Sequence, residues 1–130
     1  KYREKHYTMV DTTHFPKVVG GMYRAVNSGF GSGGTASIAA VKGLEICGKT
    51  GTAQNPHGHD HSVFICFAPK DNPKIAVAVY VENGGWGATY GVPIGALIME
   101  KYLNGSLSEA SEMKANDIQM RRIDYGIHER

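Results

Sequence analysis

Lysine, threonine and glycine stand side by side in this chain, in the order Lys49-Thr50-Gly51-Thr52. A lysine ammonium and two hydroxyls along one extended segment supply positive potential and hydrogen-bond donors, which suit a substrate carboxylate. Gly51 has no side chain, so an extended peptide can lie close to the backbone there. These four residues are therefore the first candidates for a binding strand.

The same lysine also completes a phosphate-binding pattern. Residues 43–50, GLEICGKT, match G-x-x-x-x-G-K-[ST]. That loop needs a strand before its first glycine and a helix that begins at the lysine, so that backbone N–H groups cradle phosphate. Here a loop precedes Gly43, and the residues after Lys49 (TGTAQNP) are poor helix formers. The context fails on both sides, and we reject nucleotide binding.

Three histidines and a tryptophan lie in polar or glycine-rich stretches. His57, His59 and His61 alternate with other residues, and Asp60 stands among them. Such a run can chelate zinc or nickel, but no further ligand supports a closed site. We favour a polar loop, and predict no metal and no cofactor. Trp86 either contacts glycan or peptide or covers a core edge, and we favour the second.

The bulk properties describe one globular domain. Of 130 residues, 42% are hydrophobic and 20% are charged, and the net charge of +2 gives no reason to expect nucleic acid as a partner. Cys47 and Cys66 stand in apolar stretches and are expected to be buried thiols, although a disulfide stays open. The chain begins KYREKHY and has no apolar run of membrane-spanning length. We expect an excised segment whose targeting signal or anchor lies upstream.

Hydrophobic periodicity indicates the elements that position the candidate strand. It predicts a helix over 16–27, a strand from Leu44 into residue 53, strands over 63–68 and 75–81, and a helix over 89–103. Short connections make the strands an antiparallel meander, and the helices cover at least one face, so the fold class is α+β. The alanine face of the third strand indicates a closely packed helix. The polar residues 106–130 indicate a mobile tail or a weak helix.

Four segments resemble the C-terminal part of class B penicillin-binding proteins, most closely the elongation-type group called penicillin-binding protein 2. They are GTA at 34–36, CGKTGTAQN at 47–55, HSVFICFAPKDNPKIAVAVYVENGG at 61–85 and YGVPIGALIMEKYL at 90–103. Lys49-Thr50-Gly51 is the K-T-G element of the serine penicillin-recognising enzymes. The resemblance predicts an incomplete transpeptidase domain over residues 1–104 and a separate polar tail over 105–130.

The resemblance implies a peptidoglycan D,D-transpeptidase of cell-wall elongation, with stem peptides and β-lactams as ligands. In this family a serine attacks a D-Ala–D-Ala peptide, and the acyl-enzyme passes its acyl group to an amine of a neighbouring stem peptide. Lys49 would hydrogen-bond the serine of a middle motif and help proton transfer. Thr50 and Thr52, on either side of Gly51, would hold the substrate carboxylate, and the Thr52 N–H would form half of the oxyanion hole. The cell-elongation machinery is the implied partner, at the periplasmic side of the bacterial inner membrane.

The other two motifs of the family are missing from these 130 residues. S-x-N does not occur, and S-x-x-K occurs only at Ser111 to Lys114, after the last predicted helix, which we interpret as a coincidence. We expect one wall of an active site without its nucleophile, inactive alone and prone to self-association through open sheet edges. The alternatives are a fragment of a serine β-lactamase or β-lactam sensor, or a small metal-binding or interaction module around the histidines.

Overall fold

The structure, a computed structural model, describes residues 3–29, 34–123 and 125. Its elements are α1 (Phe15–Asn27), β1 (Cys47–Ala53), β2 (His61–Ala68), β3 (Ile75–Val81), α2 (Gly91–Asn104) and α3 (Glu109–Met120), with short 3-10 turns at Thr12–His14 and Ser37–Ala39. The strands form one antiparallel sheet in the order β1-β2-β3. The predicted α+β fold, a three-stranded meander flanked by an N-terminal and a C-terminal helix, is confirmed.

The first strand begins later than the sequence suggested. Gly43 and Glu45 both have positive φ angles, 86° and 45°, so the chain turns here instead of extending. Strand β1 begins at Cys47, and the predicted strand start at Leu44 is wrong. Leu44 and Ile46 are nevertheless buried in the core, which explains why this stretch carries an apolar signal.

Helix α2 packs on one face of the sheet, around the ring of Phe64. Directly paired residues of an antiparallel sheet share a face, so Phe64 lies with Thr50 and Val79 on the covered face. A methyl group at Gly95 of α2 would lie 2.6 Å from this ring, and one at Gly48 of β1 would lie 2.4 Å from it. The helix and the strand approach Phe64 this closely because both positions lack a side chain.

The two faces of β3 are used in the opposite way to the prediction. Val79 is buried and Val77 packs against the core beneath α2, whereas Ala76 and Ala78 are exposed. The branched face therefore meets the helix, and the prediction of a helix over the alanine face is wrong. The small residues that permit close packing belong to α2 instead.

Helix α1 lies beside β1 and leaves part of the second sheet face open. Asn27, at its C-terminal end, donates from Nδ2 to the carbonyl oxygen of Ile46 at 2.9 Å, which fastens the helix to the start of β1. On the open face, the side chains of Ile65 and Tyr80 are 47% and 57% exposed. No helix in the described ranges has both the length and the apolar character that crossing a membrane requires.

The polar segment after α2, for which a mobile tail or a weak helix was predicted, contains a 12-residue helix. Gly105 ends α2 in the left-handed conformation, with φ at 76°, and the chain turns so that α3 packs against α2. The carboxylate of Glu100, buried in α2, accepts a hydrogen bond from the N–H of Ser108 at 2.9 Å, immediately before α3 begins. Residues 124 and 126–130 of the predicted tail lie outside the described residues.

Gly95→Ala is expected to destabilise the fold by about 2 kcal/mol, because the new methyl group overlaps the Phe64 ring in a packed core. Gly21→Ala is a matched control in α1, where a methyl group would meet nothing within 4 Å. The control should be neutral or stabilise the helix by up to about 1 kcal/mol. Chemical denaturation measures both, and equal free energies of unfolding would contradict the packing described.

Acidification is expected to release α3. Burial raises the pKa of Glu100, but hydrogen bonds from Ser111 and Ser108 and the charge of Lys114 outweigh it, so this pKa lies below the ordinary value of 4.5. The ionised carboxylate therefore stabilises the fold fully above pH 4.5, and this stabilisation is lost as the pH falls through the lower folded-state pKa. Circular dichroism during acid titration measures the loss of helix. Glu100→Gln should remove this step, and an unchanged step in that variant would assign it to another group.

Candidate functional site

The four candidate residues lie consecutively along β1, which is an edge strand of the sheet. Side chains alternate along a strand, so Lys49 and Gly51 lie on the open face, where Lys49 pairs with Ile65. Thr50 and Thr52 lie on the face that α2 covers. Because β1 pairs on one side only, every second backbone N–H of the strand points away from β2. The sequence prediction of a polar binding strand therefore falls on a strand with an open edge. The structure does not support the phosphate-binding pattern at residues 43–50, since its lysine lies within a strand and not at the start of a helix.

Lys49 borders a cleft of about 660 Å³ between α1 and the sheet. The apolar lining includes Val18, Met22 and Ile65, and the cations are Lys49 and Arg24. The Lys49 ammonium is exposed and donates to the carbonyl oxygen of its neighbour at 2.7 Å. A cleft with an apolar floor and a cationic rim suits the anionic end of a peptide.

The hydroxyl of Thr50 joins β1 to the segment at residues 34–36. Its Oγ1 donates to Oγ1 of Thr35 at 3.3 Å. The same segment is fastened to α1, because the N–H of Ala36 donates to the carbonyl oxygen of Ala25 at 3.0 Å. Thr35 thus contacts the candidate strand, although the sequence reasoning did not single it out. Its place in the GTA segment, which carries part of the resemblance, was the available signal.

Thr52 is held by the loop that leads into α2. Its Oγ1 accepts a hydrogen bond from the N–H of Gly87 at 3.3 Å. The hydroxyl proton of Thr52 therefore remains available to donate to a carboxylate. A methyl group at Gly87 would lie 2.6 Å from the carbonyl oxygen of Gly51. Only glycine allows the loop to pack this closely against the binding strand.

One buried hydroxyl fixes the loop to the sheet. Ser62 is fully buried, and its Oγ lies 2.8 Å and 3.1 Å from the carbonyl oxygens of Trp86 and Gly87, to which it donates. The same oxygen accepts from the N–H of Gly91, the first residue of α2, at 3.0 Å. Ser62 thereby sets the position of both the loop and the helix N-terminus relative to the binding strand.

Trp86 extends from this loop into solvent. Its side chain is 76% exposed, so the favoured prediction that it covers a core edge is wrong. Its backbone carbonyl is nevertheless fixed by Ser62, and its neighbour Gly87 contacts Thr52. The indole therefore stands on an anchored backbone near the end of the binding strand.

The loop between β1 and β2, which contains His57 and His59, is held by hydrogen bonds of amide and carboxylate groups. The backbone N–H of Asn83 donates to Nδ1 of His61 at 3.0 Å, and the His61 ring lies 5.3 Å from that of Tyr80. Asn55 donates from Nδ2 to Oδ1 of Asn83 at 3.0 Å and from its backbone N–H to Asp60 at 3.2 Å. Within the described ranges, no three metal-ligating side chains are grouped. This geometry does not support the alternative of a small metal-binding module around the histidines.

Both cysteines are buried free thiols, as the sequence predicted. Burial raises the pKa of Cys66 to about 12, and burial also raises the pKa of Cys47. The nucleophilic form of a cysteine is the thiolate, so neither residue is suited to attack a substrate.

Ser111 and Lys114, the only S-x-x-K pair of the sequence, belong to α3. Ser111 is buried in α3, which packs against α2. The serine is therefore part of the contact between two helices, away from the four residues on β1.

The sequence matches a family model described as penicillin binding protein transpeptidase domain over residues 1–103. The peptidoglycan D,D-transpeptidase MrdA of Haemophilus influenzae is 36% identical over 107 residues, which cover 71% of this chain and 16% of that protein. The peptidoglycan D,D-transpeptidase PbpA of Mycobacterium tuberculosis is 43% identical over 77 residues, or 51% of this chain and 15% of that protein. The chain thus spans less than a fifth of the length of these relatives.

Solved structures show the same relationship. Penicillin-binding protein 2 of Pseudomonas aeruginosa aligns with a TM-score of 0.57 at 36% identity, covering 80% of this chain and 23% of that one. Penicillin-binding protein A of Mycobacterium tuberculosis, solved as an imipenem acyl-enzyme complex, aligns with a TM-score of 0.57 at 32% identity, covering 72% and 20%. Fold and sequence agree, and the chain belongs to the penicillin-binding protein transpeptidase family, of whose domain it represents the C-terminal part.

Proposed function

We propose that this chain forms the K-T-G wall of a serine D,D-transpeptidase and recognises the terminal carboxylate of a peptidoglycan stem peptide. The observation that carries the proposal is the placement of Lys49, Thr50, Gly51 and Thr52 on one edge strand. Lys49 also borders the cleft between α1 and the sheet. The names of the relatives, peptidoglycan D,D-transpeptidases, support it.

Each of the four residues has a role that its geometry allows. The Lys49 ammonium supplies the positive charge, and its exposed end can also reach a serine of a second motif outside the chain. The Thr52 hydroxyl accepts from Gly87 and so keeps its proton for the carboxylate. Thr50 lies in the same row, and Gly51 lets the peptide approach the backbone. In this proposal the backbone N–H of Thr52 serves as half of an oxyanion hole.

The nucleophile of the reaction lies outside this chain. An upstream serine attacks the penultimate D-Ala carbonyl, the terminal D-Ala leaves as an amine, and the acyl-enzyme then transfers its acyl group to an amine of another stem peptide. Lys49 assists the proton transfers through the middle-motif serine. The chain alone holds one wall of the site, so it neither acylates nor turns over. The resemblance to the family extends the proposal to the periplasmic side of the inner membrane, with the cell-elongation machinery as partner.

The decisive test is acylation by benzylpenicillin. A polypeptide that carries this chain with the rest of its transpeptidase domain should gain the mass of one penicillin in intact-mass spectrometry, and the 130-residue chain should gain none. Lys49→Ala in the long form should slow acylation by at least about a hundredfold, since general acid–base assistance contributes this much. Lys42→Ala, at an exposed lysine in the preceding turn, is the matched control.

Three outcomes of these measurements separate the alternatives. A folded long form that gains no penicillin would overturn the transpeptidase proposal. A long form that gains penicillin but releases it within seconds would favour the β-lactamase alternative. Equal acylation rates for the Lys49 and Lys42 variants would remove the K-T-G role while leaving the family assignment intact.

The isolated chain is expected to self-associate. The open sheet face exposes Ile65 and Tyr80, and β3 is an edge strand with pairing on one side only. Exposed edges and apolar faces pair with other copies. Sedimentation velocity should show an average mass that rises with concentration. A monomer at every concentration would contradict this prediction.

A further inference from the structure

We propose that α3, which follows the matched part of the family, positions Thr52 for substrate binding through Arg121 and the loop before α2. The inference rests on the proposed function of β1. Arg121 touches no substrate in this scheme. It is a positioning residue that acts through a short series of hydrogen bonds.

The Arg121 side chain is hydrogen-bonded within α3 and also to the turn that precedes α2. Asp117, one turn earlier in α3, accepts hydrogen bonds from Nη2 at 2.6 Å and from Nε at 2.9 Å. The remaining Nη1 donates to the carbonyl oxygen of Thr89 at 2.7 Å. The guanidinium also lies 5.5 Å from the centre of the Tyr90 ring. A planar guanidinium with this many partners has a defined orientation, so α3 holds residues 89 and 90 in place.

Thr89 connects Arg121 to the binding strand through the turn of residues 86–89. Its N–H donates to the carbonyl oxygen of Trp86 at 2.8 Å, which closes the turn. The next residue in that turn, Gly87, donates its N–H to Oγ1 of Thr52 at 3.3 Å. Arg121 is therefore connected to Thr52 by three hydrogen bonds, which are joined through the covalent backbone of residues 86–89.

The turn is rich in glycine and is held from more than one side. Gly84, Gly85 and Gly87 lie in or next to it, and glycine backbone is conformationally permissive. From the sheet side, Ser62 holds the carbonyl oxygens of residues 86 and 87. From the other side, Arg121 holds Thr89. The N–H of Val92 in α2 also donates to the carbonyl oxygen of Gly87 at 3.0 Å, and the N–H of Gly85 donates to that of Asp60 at 2.7 Å. Loss of Arg121 would leave the turn with these contacts and those of Ser62 but without its contact to α3, and the Gly87 N–H would then move more freely relative to Thr52.

The test compares two adjacent arginines in a polypeptide that carries the complete transpeptidase domain. Arg121→Ala should lower the second-order rate of acylation by benzylpenicillin by about tenfold, a size that a single link in such a network can carry. Arg122→Ala is the matched control. Among the described residues no hydrogen bond of the Arg122 side chain is found, and only its backbone carbonyl accepts from Tyr90. Arg121→Lys should recover part of the rate, since an ammonium can still donate to Thr89.

Further readouts separate positioning from loss of folded protein. The number of sites that penicillin finally titrates should be unchanged in Arg121→Ala, whereas partial unfolding would lower that number. Hydrogen exchange should accelerate at the amides of Gly87 and Thr89 and stay unchanged at Phe64 in β2. In a double-mutant cycle, Arg121→Ala should have little added effect once Thr52→Val has removed the acceptor.

The outcomes decide the inference independently of the proposed function. Equal acylation rates for the Arg121 and Arg122 variants, or a lower number of titrated sites at an unchanged rate, would overturn it. If the unaltered protein is not acylated at all, the proposed function fails, and hydrogen exchange still decides the positioning. Unchanged exchange at Gly87 in Arg121→Ala would then overturn the inference, and faster exchange would support it.

Discussion

The region around the candidate site depends on the buried hydroxyl of Ser62. The first N–H groups of a helix have no partner within the helix, and Tyr90 at the N-cap of α2 provides no side-chain hydrogen bond. Ser62 of β2 accepts from Gly91 instead, and donates to the carbonyls of the preceding loop. Since a buried polar group without a partner costs about 1–3 kcal/mol, this one side chain couples the helix, the loop and the sheet. The loop it fixes is the one that contacts Thr52.

The hydroxyl can reach Gly91 only because α2 lies unusually close to the sheet. A methyl group at Gly91 would be 3.0–3.1 Å from the backbone of β2 and from Phe64, and Gly95 comes still closer to the Phe64 ring. The hydrogen bond between Ser62 and Gly91 thus depends on the glycines that let α2 approach the sheet. Larger residues in α2 would move the helix away, and the distance to Ser62 would no longer allow the cap. Glycine in a helix is destabilising by about 1 kcal/mol relative to alanine, and the packing offsets this cost.

These features explain which parts could be predicted from the sequence. The alternation of β3 and the apolar run of β2 are local patterns, so the strands and their order were predicted, and with them the open-edged strand that carries Lys49 and Thr52. Alternation defines two faces of a strand but does not say which one a helix covers, so the alanine face was assigned wrongly. The early start predicted for β1 had a similar cause, because burial of Leu44 was interpreted as extension. The contact of Thr52 with Gly87 joins residues 35 positions apart, and no local pattern indicates it.

Helix α3 is also not indicated by a local sequence pattern, and it packs against α2 beyond the end of the matched region. Its composition is polar, so no apolar face in the sequence indicates a helix. The residue before its first turn donates a hydrogen bond to a carboxylate of α2. Glu100 lies inside the matched region and is only 2% exposed. A carboxylate is almost never buried so fully unless it is paired, and the N–H that donates to Glu100, that of Ser108, comes after the matched region ends. The boundary at residue 104 stays a prediction, but this buried charge is intelligible only when α2 and α3 are considered together. A structural description of α2 therefore has to include the residues through α3.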